Sequence, residues 1–149
     1  MTDVLDPAAE RQLAVDLFNR TWTLLDMPER SAEDDVTMIH MAHASRHHWA
    51  AVGGPENLAR GEWQCSRVYA ALGRAEPARY HAERCLAICE ANAIGDWDLA
   101  YAYEALARAA AVAGDADERA RWLERARAAA QDVADPEDRE HLEEDLATV

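Results

Sequence analysis

The sequence predicts an all-α fold of about seven helices, paired antiparallel and stacked as a solenoid. Three observations carry this. Apolar residues recur at spacings of three and four through most of the chain, the period of one helix face, and no segment alternates with the period of two that a half-buried strand shows. Glycines are few and read as punctuation between the periodic runs. Finally, Arg60 to Ala130 reads as one two-helix unit written twice, 41 positions apart. The first copy has a stripe of Cys65, Val68, Tyr69 and Leu72, a stop at Gly73, and a second run from Pro77 through Ala78, Ala82, Cys85 and Leu86. The second has Tyr103, Leu106, Ala109, Ala110 and Ala113, a stop at Gly114, then Ala120, Leu123, Ala126 and Ala130. Such a pair cannot cover its own apolar face, so recurrence at fixed spacing implies stacked pairs sharing a continuous core.

The expected organisation is a single domain over residues 1–149, with an N-terminal helix pair at 7–52, repeat pairs at 55–94 and 96–134, and a capping helix at 136–147. Asp6-Pro7 opens the first helix, a capping side chain followed by a proline whose missing N–H costs nothing there. Leu13, Leu17, Phe18, Thr21, Leu24 and Leu25 give it an amphipathic stripe, and Met27-Pro28 ends it. Ser31 with Asp34 resembles a capping box and starts a long second helix. On that helix Met38, Met41, Ala42, Ser45, Trp49 and Val52 share one face, opposite His40, His43 and His47. Gly53-Gly54-Pro55 breaks the chain before a third helix that reaches Ala71, and a fourth runs from about Pro77 to Ala93. Gly95-Asp96 turns into the fifth, with Asp96 as its N-cap. Asp115 with Glu118 opens the sixth in capping-box form, and Asp135-Pro136 opens a short last helix carrying Leu142, Leu146 and Val149.

A chain of 149 residues suits one core. All 15 basic residues are Arg, against 29 acidic ones, for a formal charge of −14. That surface repels phosphate backbones and anionic lipid, which argues against nucleic-acid and membrane partners and favours partners with basic segments; it equally serves solubility. Three cysteines, no charged-then-apolar leader and no apolar run of about 18 residues predict a soluble protein of a reducing cytoplasm with free thiols.

Gly73 followed by Ala78, Ala82, Cys85 and Leu86 resembles the second half of a tetratricopeptide repeat, which places small residues where its two helices cross. In the other copy Gly114, Leu123 and Ala126 match, while Arg119 stands where a small residue is expected. Cys85 to Glu90, then Gly95 to Ala100, is similar to the longer repeat of kinesin light chains. The likeness covers about half the chain, roughly residues 59–130. It implies an antiparallel helical solenoid whose concave face binds proteins or peptides. It also implies a contact row of Arg60, Trp63 and Arg67 on one pair's first helix and Tyr101, Glu104 and Arg108 on the next. Arginine forks and amphipathic rings contribute most to contact energy at interfaces. The alternative for the same residues is internal, with Arg67 pairing to Glu104 across adjacent helices and Trp63 packing beneath the N-terminal pair.

Other candidates are weaker. His40, His43 and His47 fall within one arc of a helix, where three imidazoles could converge on a divalent metal; His48 lies off the arc, and a further ligand must come from another element. The alternative is a polar helix face. His81, Cys85 and Cys89, with Cys65, could imitate a His/Cys metal site, but the cysteines share the apolar stripe and read as core. Asp96-Trp97-Asp98 with Glu104 gives a conceivable carboxylate pair that lacks a partner group. No Gly-rich phosphate loop, Gly-x-Ser-x-Gly or Cys-x-x-Cys occurs. The leading expectation is therefore a non-enzymatic, cofactor-free scaffold that binds a protein or peptide, with self-association through Trp22, Trp49 or Trp122 as an addition. The other, from a different class, is a small metal- or ligand-binding helical protein built on His40, His43 and His47.

Overall fold

The computed structural model describes residues 4–149. It contains α1 (Pro7–Leu25), α2 (Ala32–Val52), α3 (Pro55–Ala71), α4 (Ala75–Ala91), α5 (Asp96–Ala113), α6 (Ala116–Ala130) and α7 (Pro136–Leu146), with no strand among the described residues. Hairpins α1/α2, α3/α4 and α5/α6 pack internally and join through α2/α3, α4/α5 and α6/α7. A further set of close backbone approaches runs α1/α3, α3/α5 and α5/α7, whereas among the described residues α2, α4 and α6 make none with one another, His43 of α2 meeting His81 of α4 only through their rings. The first helix of each pair therefore belongs to an inner layer and the second to an outer one, which makes the molecule an all-α helix-pair solenoid. None of its described helices is long and apolar enough to cross a membrane.

Small side chains set the helix spacing. Ser45 donates to the Ala14 carbonyl at 2.8 Å and Ser66 to the Ala78 carbonyl at 2.7 Å, so two of the hairpins close on a buried hydroxyl. On α1 the expected stripe holds at Thr21, which is buried, and at Leu17, Phe18, Leu24 and Leu25, which are partly buried; Leu13 is exposed and Ala14 is buried in its place. The α2 face is as expected, with Met38, Met41, Ala42, Ser45 and Trp49 buried. Helix α3 touches α1, α2, α4 and α5, and so buries Glu62, Gln64 and Ser66 beside Ala59, Cys65 and Val68. Gly61 lies inside α3 and is not punctuation. A Cβ there would stand 2.9 Å from Arg46 Cδ, so the missing side chain lets α2 approach.

The caps follow the sequence at four helices. Asp6 accepts from Ala9 N, Ser31 and Asp34 form a complete capping box, Asp115 accepts from Glu118 N, and Asp135 accepts from Glu137 N and Asp138 N. Each such cap contributes about 1 kcal/mol. Two expectations are corrected. Helix α4 begins at Ala75, because Pro77 falls in the first turn, where backbone N–H groups have no helical acceptor to lose. Asp96 does not cap α5; its carboxylate accepts from Ala134 N at 2.9 Å and ties that helix to the turn before α7.

Three helices end in a left-handed residue, at Gly73 (φ 72°), Ala93 (φ 52°) and Gly114 (φ 73°). After each, the next N–H reaches back to the last turn, as in Arg74 to Tyr69 O and Ile94 to Cys89 O, both 2.9 Å. Of the three, only Ala93 carries a Cβ. Ala93→Gly should therefore stabilise the protein by about 0.5–1 kcal/mol, the strain relieved less the added freedom of glycine in the unfolded chain. Thermal unfolding should show a Tm raised by about 2–3 °C; a lowered Tm would contradict the left-handed backbone at this position.

Candidate functional site

The inner layer holds a hollow. Among the described residues, α1 and α7 lie on either side of α3 and α5 with no close backbone approach between them. Between them is a cavity of about 450 Å³ lined by Phe18 and Trp22 of α1, Arg60 and Trp63 of α3, Trp97, Asp98 and Tyr101 of α5, and Asp138, His141 and Asp145 of α7, with Ala59 and Cys85 behind. The rings touch in series: Trp22 to Trp63 at 5.5 Å between centroids, Trp63 to Tyr101 edge-on at 5.4 Å, and Tyr101 to Trp97 edge-on at 5.9 Å. Edge-to-face packing of this kind turns ring faces in different directions around one space.

Polar groups hold three of those rings, Trp63, Trp97 and Tyr101. Arg60 grips the buried Asp98 with both forks, Nε to Oδ1 at 2.9 Å and Nη2 to Oδ2 at 3.0 Å, while its guanidinium lies 4.7 Å above the Trp97 ring. Tyr101 donates its hydroxyl to Asp145 Oδ2 at 2.7 Å. Burial, reinforced by that acceptor, pushes the Tyr101 phenol well above its ordinary range, so it stays a donor. Trp63 Nε1 donates to Glu104 Oε2 at 3.3 Å. The other oxygen of Glu104 accepts from Arg67 at 3.2 Å and from Arg108 at 2.6 Å, and Arg108 reaches on to Asp145 O and Thr148 Oγ1.

The six residues expected to form one contact row thus divide. Arg60, Trp63 and Tyr101 line the cavity. Glu104 is fully buried and cannot touch a partner, and Arg67 and Arg108 are bound to it, so these three brace the wall. This corrects the placement of Glu104 as a contact, for the physical reason that a buried carboxylate requires charged donors around it, while Arg67 and Arg108 keep an exposed side that lines a neighbouring hollow with Trp22 and Val149. Several lining residues escape a reading of the repeats: Phe18, Trp22 and Trp97, and the α7 group Asp138, His141 and Asp145. The α7 group does carry a signal, since spacings of three and four put its members on one helix face.

The histidines do not converge. His40 and His47 are exposed, the latter edge-on to His48, while His43 turns inward to Tyr69 (Nε2 to hydroxyl, 2.8 Å) and lies 5.2 Å from the His81 ring. No group of three or more His, Cys, Asp or Glu among the described residues is placed to hold a metal ion. Cys65, Cys85 and Cys89 are free and buried. His43 Nδ1 approaches Cys65 Sγ at 3.8 Å, but burial, then the Glu62 charge, pushes that thiol up to about 12. The dyad therefore holds no thiolate at neutral pH. Nor do the tryptophans named for self-association stand free: Trp22 lines the cavity, Trp49 is buried under Arg11, and Trp122 stacks on Tyr103.

Glu62 on α3 is the third buried carboxylate, after Glu104 and Asp98, taking Arg46 and Arg84 on one oxygen at 3.2 and 2.9 Å and His81 Nδ1 on the other at 2.7 Å. Burial alone would raise its pKa; hydrogen bonds from His81 and Arg84, with the Arg46 charge, outweigh it and hold the carboxyl down at about 2.

Comparison of the chain with protein-family models, with curated proteins and with solved structures finds no match in any of the three.

Two measurements test this network. Glu104→Gln leaves Arg67 and Arg108 without their carboxylate and should cost about 3 kcal/mol in urea unfolding; a loss near zero would mean the two guanidiniums are solvated. A carboxyl whose folded value lies below the ordinary 4.5 stabilises the fold above that pH, and the contribution disappears as pH falls toward 2. Urea midpoints of Glu62→Gln should therefore decline less steeply over that acid range than those of the wild type. Parallel acid limbs would contradict the assigned ion pairing.

Proposed function

We propose that the chain is a non-enzymatic binding module that holds a protein or peptide segment on its inner face, in the manner of a tetratricopeptide-like solenoid. The observation that carries this is the cavity at the meeting of α1, α3, α5 and α7, lined by five aromatic rings and flanked by helices that do not close over it. Arg60, Trp63, Tyr101, Trp22 and Trp97 make the contacts. Arg67, Glu104 and Arg108 hold Trp63 and the α7 end in place. Rings held rigidly by hydrogen bonds lose little entropy when a guest arrives, which favours binding.

The state of the nucleophilic groups favours the non-enzymatic reading: the thiols are buried, and burial and the neighbouring His81 lower the His43 pKa beside a Cys65 that stays protonated. The net charge of −14 favours a partner with basic segments over nucleic acid or an anionic membrane. Affinity capture from the native host tests the reading with two baits, wild type and a Trp22→Leu, Arg60→Gln variant whose helicity is checked by circular dichroism. A partner held by the first and lost at least about 10-fold from the second is expected for contacts of this kind. Identical partner lists would overturn the reading.

A further inference from the structure

We infer that the aromatic cavity receives an organic ammonium cation, the alkylated head group carried by a methylated basic side chain or by a free small molecule. This deepens the docking reading above and rests on it for the face that the guest approaches.

Three independent features converge. The first is the ring arrangement: Trp22, Trp63 and Tyr101 bound one space at centroid separations of 5.4–5.5 Å, and the three partly exposed tryptophans of the wall turn apolar surface to a hollow. A cation set over ring faces is attracted by their quadrupoles, and cages of tryptophan and tyrosine are how quaternary ammonium groups are recognised. The second is charge. The lining contains one arginine against three aspartates. Arg60 is neutralised by its two-pronged grip on Asp98; Asp145 takes the Tyr101 hydroxyl and lies 3.6 Å from His141 Nε2, and neither it nor Asp138 pairs with an arginine of the lining. The Arg60 guanidinium already occupies the Trp97 face at 4.7 Å, a cation–ring contact that the chain itself makes beside the other rings. The third is size, since about 450 Å³ lies within the range of ligand pockets.

An alkylammonium satisfies all three. Its methyl groups fill apolar space, its diffuse charge needs no hydrogen-bond acceptors, and Asp138 and Asp145 lie at the α7 edge to complement it. A carboxylate or phosphate guest would meet two aspartates, and an uncharged aliphatic guest would leave that negative charge unused.

Titration calorimetry at low salt tests the inference with choline chloride and its neutral carbon isostere, dimethylbutanol. Saturable choline binding at least ~10-fold tighter than the isostere is expected. Trp22→Leu should weaken it ~10-fold, and the double variant Asp138→Asn, Asp145→Asn ~5-fold, since the amide oxygen introduced at position 145 can still accept from Tyr101. The second variant keeps the test alive if the first fails to fold. Equal binding of the two probes, or no saturable choline response up to ~100 mM, overturns the ammonium assignment. A further arm compares a trimethyllysine peptide with choline. Tighter binding of the peptide identifies a side chain as the source, and equal binding identifies a small free cation while still supporting the site. Partner capture lost in the Trp22→Leu, Arg60→Gln bait but with no choline response sinks this inference and leaves peptide docking standing. A choline response with identical partner lists does the reverse.

Discussion

One buried carboxylate, Glu104, is shared by three successive helices of the inner layer. Helix α3 offers it Trp63 and Arg67, α5 offers Arg108, and Arg108 carries the link to Asp145 O and Thr148 at the end of α7. Away from water an unpaired charge is costly, so the carboxylate and its donors have one arrangement in which all are satisfied. Arg67 and Arg108 crowd the single oxygen Oε1 of Glu104 at 3.2 and 2.6 Å, and burial, then the Arg108 charge, lowers the Arg67 pKa. Stacked helix pairs have no sheet to fix their register. Here the register of the inner layer is fixed by polar contacts of this kind, and the same contact that locks α3 to α5 orients the Trp63 ring on the cavity wall.

The repeat made much of this legible. Trp63 and Glu104 stand 41 positions apart, the repeat spacing itself, so equivalent places in neighbouring copies are the ones that touch. That periodicity places Arg60, Trp63 and Tyr101 on the inner layer. It does not distinguish a side chain offered outward from one spent inward. Glu104 and Asp98 look like surface acids in the sequence, yet both are buried because an arginine on α3 meets each. Asp96 has the place and chemistry of a cap, and the turn at Ala134 takes it instead. Helix α7 has no copy elsewhere in the chain, so its three cavity residues share a legible face while no repeat register says that this face turns inward.

Size sorting explains why a hollow forms at all. Ala14, Ser45, Ser66, Ala78, Ala82, Cys85, Ala126 and Ala130, all small, are buried in the hairpins beside larger residues such as Met38 and Leu123, and let paired helices approach closely. Phe18, Trp22, Trp63, Trp97 and Tyr101 stand instead on the inner layer, where α1 and α7 are too far apart to interlock. In a core these rings would be fully covered, since each has more apolar area to bury than any other residue type. All three tryptophans keep part of their surface exposed. Stability alone gives no reason to leave that much ring surface partly wet while also fastening Trp63 to a buried carboxylate and Arg60 to a buried aspartate. Binding does, because a guest that fills the hollow completes the burial the chain leaves unfinished and meets Trp63, Trp97 and Tyr101 already held in place.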